Sequence, residues 1–169
     1  VPMSHVMMPN VESTHHASDT TISATRGRRT PAAIVMIVVA MVSLALTACT
    51  ATPAEDSNTT ALNAVRAAVG LPELTRSAEL DAKAKAQADR MAKKGTIFHS
   101  SNLAAGVTEG WSQIGENVAL AGSVDDAQRA LEASPGHYAN MVNPAFNQVG
   151  IGITVRNGIT YVVQVFVSR

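Results

Sequence analysis

The sequence predicts a three-layer α/β/α sandwich with a mainly antiparallel sheet for residues 58–169, on three observations. Apolar residues recur at helical spacing in separate stretches between Asn58 and Leu131. Val149, Ile151, Ile153 and Val155 then alternate with other residues, and the two-residue turn signal Asn157-Gly158 leads into Ile159 to Val167. That last segment is apolar at nearly every position, including Val162, Val163, Val165 and Phe166, as expected of a central strand covered by helices on both faces.

Ser57 or Asn58 can cap a first helix in which Leu62, Val65 and Val69 recur at helical spacing, and Gly70 suits its C-terminal stop. Leu71-Pro72 breaks the chain. Ser77 opens a second helix with Leu80, Ala84, Ala88 and Met91 on one stripe, while Lys83, Lys85, Asp89 and Lys93 fall largely off it. Lys93, Lys94 and Gly95 mark its end, because cations and a left-handed glycine both complement the last carbonyls. The lysines read as a solvated face rather than a binding patch. A loop holding His99, Ser100, Ser101 and Asn102 follows. Ser123 caps a third helix whose apolar members are Val124, Ala127, Ala130 and Leu131, with Asp125 and Asp126 in the first turn. Ser134-Pro135 begins a short fourth helix, which Asn143-Pro144 ends. Trp111 reads as a core plug rather than part of a ligand groove, and Asn140 and Asn143 as capping and turn residues.

Residues 1–48 read as a leader. Arg26, Arg28 and Arg29 precede an apolar run over residues 32–46, which ends in Leu46-Thr47-Ala48-Cys49. A retained spanning helix is the competing reading, but about 15 apolar residues rise only about 22 Å against a hydrocarbon core of about 30 Å. The pair Arg28-Arg29 admits a twin-arginine signal, yet its context is poor and general secretory export is preferred. Small residues before a cysteine resemble the lipobox of bacterial lipoproteins, so Cys49 is the expected lipidation site and mature N-terminus. Residues 49–57 form the attachment cysteine and a short polar tether, in which Thr50 to Asp56 reaches at most about 25 Å. The expected location is the extracytoplasmic face of the cell membrane, with the membrane itself as partner through the lipid.

The chain of 169 residues balances 13 Lys and Arg against 13 Asp and Glu; from Cys49 onward the counts are 10 and 11, with no basic block. Phosphate recognition needs clustered positive charge, so nucleic acid is not an expected partner. Cys49 is the only cysteine, which excludes a disulfide framework and a cysteine-rich zinc site.

Two histidines lie beyond Cys49, and both fall in loop-to-helix contexts. His137 stands in the first turn of the fourth helix, where the helix dipole disfavours imidazolium and keeps the ring available for coordination. His99 follows the helix stop at Gly95 and is free to turn toward a cleft. Two imidazoles and one carboxylate with an open fourth position form a permitted zinc arrangement. On spacing alone, hydrogen-bonded histidines without a ligand are the commoner case. Ser100, Ser101 and Ser134 lie near the histidines, and a Ser-His-Glu hydrolase can be drawn from them. The sequence has neither a GxSxG elbow nor an HExxH motif, so binding is preferred over catalysis.

Gly70-Leu71-Pro72-Glu73-Leu74 through Leu80-Asp81, His99-Ser100, Gly115-Glu116-Asn117-Val118-Ala119, Ser134 to Met141 (SPGHYANM), and Val149 to Phe166 resemble, in this order, the bacterial CAP domains of the cysteine-rich secretory, antigen 5 and pathogenesis-related class. The resemblance implies an α/β/α sandwich with a shallow cleft of two histidines and acidic residues, which in some members holds a divalent metal such as zinc. It assigns His99, Glu116 and His137 as candidate metal ligands. Leu131 stands where many members have a Trp before their second acidic residue, and the adjacent Glu132 is the substitute this chain offers. The implied function is that of a lipid-anchored extracytoplasmic protein binding a lipid, glycan or peptide of the envelope, and the alternative is a hydrolase of peptide or cell-wall bonds.

Overall fold

The computed structural model describes residues 52–169; the leader, the apolar run at 32–46 and Cys49 lie outside the described residues. Helix α1 spans Pro53–Ala68. It starts inside the segment read as tether, because Thr52, Pro53 and Glu55 form a stronger start signal than Ser57 or Asn58. Thr52 Oγ1 accepts from the Glu55 amide while Glu55 Oε2 accepts from the Thr52 amide at 2.8 Å, and Pro53 occupies the first turn. Strand β1 is the two-residue Thr75–Arg76, and α2 follows over Ala78–Lys94, closed by Gly95 in the left-handed region at φ 73°. Strand β2 is Gln113–Ala121, and α3, capped by the Ser123 hydroxyl, is Val124–Ala133. Helix α4 is Pro135–Met141. Strands β3, Gln148–Arg156, and β4, Ile159–Ser168, form the expected hairpin through Asn157 and Gly158, both at positive φ.

The sheet order is β1-β3-β4-β2. β4 pairs antiparallel with β2 and β3, while β1 pairs parallel with β3, Thr75 opposite Gln148. The sheet is therefore mixed, and a two-residue strand is too short to show alternation in sequence.

Helix α2 covers one face, where Leu80, Ala84, Ala88 and Met91 meet Val118, Tyr161, Val163 and Val165. Helices α1, α3 and α4 cover the other, where Leu62, Leu131, Met141 and Phe146 meet Val149, Ile151, Val162 and Phe166. Phe146 and Phe166 stack with centroids 5.5 Å apart. Each fully buried aliphatic or aromatic side chain here contributes about 1.5–3 kcal/mol relative to exposure. Trp111 packs at the margin of the α2-side core with Phe98 and Ile114.

Arg66 is fully buried and bonds only to carbonyl oxygens: Pro72 and Met141, each at 2.8 Å, Asn143 at 3.0 Å and Phe146 at 3.1 Å. It thereby fixes the turn after α1 to the end of α4 and the approach to β3. Arg76 ties the first turns of α1 and α2 together through Asp56 at 3.0 Å and Asp81 at 2.8 Å.

Candidate functional site

Two consecutive residues of β2 organise the histidine segments. β2 is an edge strand, so loops from both faces of the sheet can meet over its open side. Glu116 sits opposite Val165, a member of the α2-side core, whereas Asn117 sits opposite Gln164 and points to the other face.

Glu116 is buried and grips the loop after α2. Its Oε1 accepts from the Ser100 amide at 2.8 Å and contacts His99 Nδ1 at 2.9 Å, while Oε2 accepts from the Ser100 hydroxyl at 2.6 Å. A carboxylate acceptor at Nδ1 means that Nδ1 carries the proton, which leaves Nε2 as the ligand-facing atom of a ring that is more than half exposed. Gln87 is fully buried on α2 and supports the same loop from behind by donating to the Phe98 carbonyl. Lys83 donates to the Ala105 carbonyl at 2.8 Å and fixes the far end of the loop to α2. Burial lowers the Lys83 ammonium pKa from its ordinary value; the Glu116 charge opposes that shift and Arg90 adds to it.

Asn117 grips the His137 segment. Its amide donates to the His137 carbonyl at 3.1 Å and to Gln164 at 3.1 Å, and its oxygen accepts from Asn140 at 2.9 Å. Gln164 continues the chain of amides to Asn58 at 3.0 Å and Gln128 at 2.9 Å, all three buried. Gln128 in turn donates to Glu132 at 2.8 Å. Five elements are joined by this network, so the backbone that carries His137 is held from beneath.

The His137 imidazole pKa lies below the ordinary value, first because burial disfavours the charged ring and second because His99 is close enough to repel a proton. The cause foreseen from the helix position was the dipole; the burial and the second imidazole come from tertiary structure. The structure thus brings His99, Glu116 and His137 to one region, with Glu116 bonded to the loop rather than open, and places Glu132 at the end of the amide network. Among the described residues, no group of three or more His, Cys, Asp or Glu side chains is arranged to hold a metal ion. Glu116 is engaged in orienting His99, which leaves His99 Nε2 and the His137 ring as the two imidazole donors of this region. The Ser100 hydroxyl donates to Glu116 rather than to an imidazole, which differs from the Ser-His-Glu order drawn from the sequence.

A groove of about 560 Å³ runs beside the loop, between α2 and residues 100–106, with Lys83, Arg90, Ser100 and Ser101 among its lining residues. It adjoins the histidine site without including His99 or His137. The sequence reading missed Arg66, Gln87 and the amide network. A lone Gln inside the apolar strand Val162 to Val167 was the available signal, since a buried amide requires partners.

No curated protein matches this sequence. The family model described as the CAP, cysteine-rich secretory protein family matches residues 59–167. Among solved structures, an outer surface protein from Borrelia burgdorferi superposes with a TM-score of 0.61 at 18% identity, covering 69% of this chain and 92% of that one. An extracellular protein containing a SCP domain from Bacillus anthracis gives 0.58 at 23% identity, with coverage of 71% and 45%. NaASP2, crystallised with Zn²⁺, gives 0.51 at 16% identity, with coverage of 67% and 78%. These similarities establish the α/β/α fold.

Proposed function

Since this chain belongs to the CAP, or cysteine-rich secretory protein, family, we propose that it is an extracytoplasmic binding protein held at the membrane by lipid on Cys49, with its ligand site at His99 and His137. A divalent metal such as zinc is the candidate ion there, and a lipid, glycan or peptide of the envelope is the candidate ligand. The supporting observation is the double grip of β2, in which Glu116 orients His99 through three hydrogen bonds to the loop and Asn117 fixes the His137 backbone. Fixing the His99 ring and the His137 backbone before a ligand arrives lowers the ordering cost of binding.

A bound metal would supply a positive charge for an anionic or carbonyl group of the ligand. His99 would present Nε2 to it, and the carboxylate of Glu116 would hold that ring's orientation and raise its basicity. His137 remains neutral to lower pH than an ordinary histidine, so its ring stays available in mildly acidic medium. The similarity to a structure solved with Zn²⁺ is consistent with this reading.

Isothermal titration with Zn²⁺ at neutral pH tests the ion. The wild-type chain should give a binding heat that is lost in His137→Ala and in His99→Ala; heats indistinguishable among the three would overturn the metal reading. Cys49→Ala should release the protein from membranes or leave its leader uncleaved, and an unchanged membrane-bound mature form would refute the anchor.

A further inference from the structure

Exposed large hydrophobic residues among those described are Val69, Ile97, Leu120, Val155 and Ile159. Four of these five gather at one end of the domain. Leu120 pairs with Tyr161, which belongs to the α2-side core, so Leu120 lies on that face. Ile159 stands two residues before Tyr161 and pairs with Arg156, which places both on the same face by strand alternation. Helix α2 brings Lys93 and Lys94 to this end, since Asp89 one turn earlier accepts from Thr154 at 2.6 Å. Ile97 stands two residues beyond the helix stop at Gly95.

Between the α2 C-terminus and the hairpin turn lies a notch of about 240 Å³ whose charged lining residues are Lys93, Lys94 and Arg156, with no carboxylate. None of these three cations has an acidic partner among the described residues. The acids nearby are engaged or face elsewhere. Asp89 is held by Lys85 and Thr154. Asp125 and Asp126 open α3, which packs on the opposite face of the sheet, and Asp126 is bonded to Ser123 and Arg129.

The direction of α1 points its N-terminus to the same end. Arg66 reaches the carbonyls of Met141 and Phe146, near the start of β3, whereas Asn58 bonds Gln164, whose register partner Ile151 lies further toward the turn. Thr52 lies about 9 Å beyond Asn58 along the helix axis, again toward the hairpin turn. Cys49 precedes Thr52 by three residues, at most about 11 Å of chain.

We propose that this end of the domain seats on an anionic phospholipid surface, with a lipid phosphate in the Lys93, Lys94 and Arg156 notch and Ile97, Leu120 and Ile159 at the headgroup boundary. The orientation rests on the membrane attachment proposed above. Cations without acidic partners, of which Lys94 rests over the Phe98 ring at 4.5 Å, stand beside exposed aliphatic side chains and complement the negative surface and the apolar boundary together. The histidine site, gripped by the middle of β2, would then be displayed beside the bilayer rather than against it.

The test uses the full chain with Cys49→Ser, reconstituted into phosphatidylcholine vesicles with or without phosphatidylglycerol. Omitting the lipid-bearing cysteine makes the outcome independent of lipidation, which the Cys49→Ala experiment addresses separately. An environment-sensitive dye is attached at Asn157→Cys, or at Val69→Cys as the distant reference, and quenching by brominated lipids is measured. In phosphatidylglycerol vesicles the dye at 157 should be quenched about fivefold more than at 69, the factor associated with roughly one cation at an anionic surface. The excess should vanish in phosphatidylcholine alone and in Lys93→Glu combined with Arg156→Glu. Equal quenching at the two positions would overturn the proposal. So would an excess that persists without phosphatidylglycerol, or one that scales with protein density, which would indicate a second copy of the chain as the occupant. If the double variant fails to fold, the comparison of lipid compositions with native side chains decides alone.

Discussion

Gly152 sets how closely α2 lies on β3. A methyl group added there would stand 2.1 Å from the Ala84 carbonyl carbon and the Lys85 nitrogen, and 2.5 Å from the Ala84 oxygen. Ordinary contact begins at 3.4 Å, so the helix would have to retreat by about 1.3 Å. The obstacle is helix backbone, and no change of rotamer relieves it. Such a retreat lifts the fully buried Leu80, Ala84, Ala88 and Met91 from the sheet. A radial gap of about 0.5–1 Å already forfeits a quarter to a half of the dispersion energy of the contacts involved. Overpacking costs about 1–3 kcal/mol by itself. With the loosened row added, Gly152→Ala should cost about 3–5 kcal/mol against a total stability of about 5–15 kcal/mol. Urea unfolding followed by circular dichroism should show a lower midpoint at unchanged slope. The loop bearing His99 rides on α2 through Gln87 and Lys83, so the zinc binding proposed above should weaken as well. Gly136→Ala is the control, because its added carbon would meet nothing within 4 Å. A Gly152→Ala variant within about 0.5 kcal/mol of wild type would refute the close approach as a determinant of the fold.

Glu116→Gln can keep an acceptor for His99 and Ser100 and should cost about 1 kcal/mol, whereas Glu116→Ala strands three donors and should cost about 3 kcal/mol; equal urea midpoints for the two variants would refute the grip. Arg66→Lys replaces a planar fork with a compact ammonium that cannot reach all four carbonyls, and a loss of about 3 kcal/mol is expected in the same assay. The Glu79 pKa is held at about 2 by its hydrogen bonds to Thr108 and Arg169. Because its folded pKa is depressed, its contribution is present above the ordinary value of 4.5 and is lost as pH falls toward about 2, so wild type and Glu79→Gln should converge in stability over that window. His137 obeys the same sign in a higher window: its folded pKa is also lowered, the unfolded chain takes up its proton first, so stability should decline as pH drops below the ordinary histidine value of 6.5, and His137→Gln should flatten that decline in a pH series of thermal melts.

Local signals made most elements legible. Ser77, Gly95, Ser123 and Pro135 mark helix ends that depend on neighbouring backbone groups alone, and Asn157-Gly158 defines a turn through the φ values those residues tolerate. The candidate residues His99, Glu116 and His137 were readable from motifs. The capping box at Thr52 was equally local, but the apolar spacing drew attention to Ser57 and Asn58 instead.

Strand β2 was not foreseen. Its central Gly115, Glu116 and Asn117 have poor strand propensity, and pairing with β4 along nine positions overrides it. Sequence by itself determined the four helices, the hairpin of β3 and β4, its turn and the types of donor available, because those follow from backbone preference and periodicity over a few residues. Only tertiary structure decided that Glu116 and Asn117 face opposite sides of an edge strand, that one orients His99 while the other holds His137, and that Arg66 is satisfied by carbonyls 6 to 80 residues away. Those outcomes depend on which distant groups share a buried space, and the requirement that each buried polar atom find a partner can be met in several ways until the sheet register selects one.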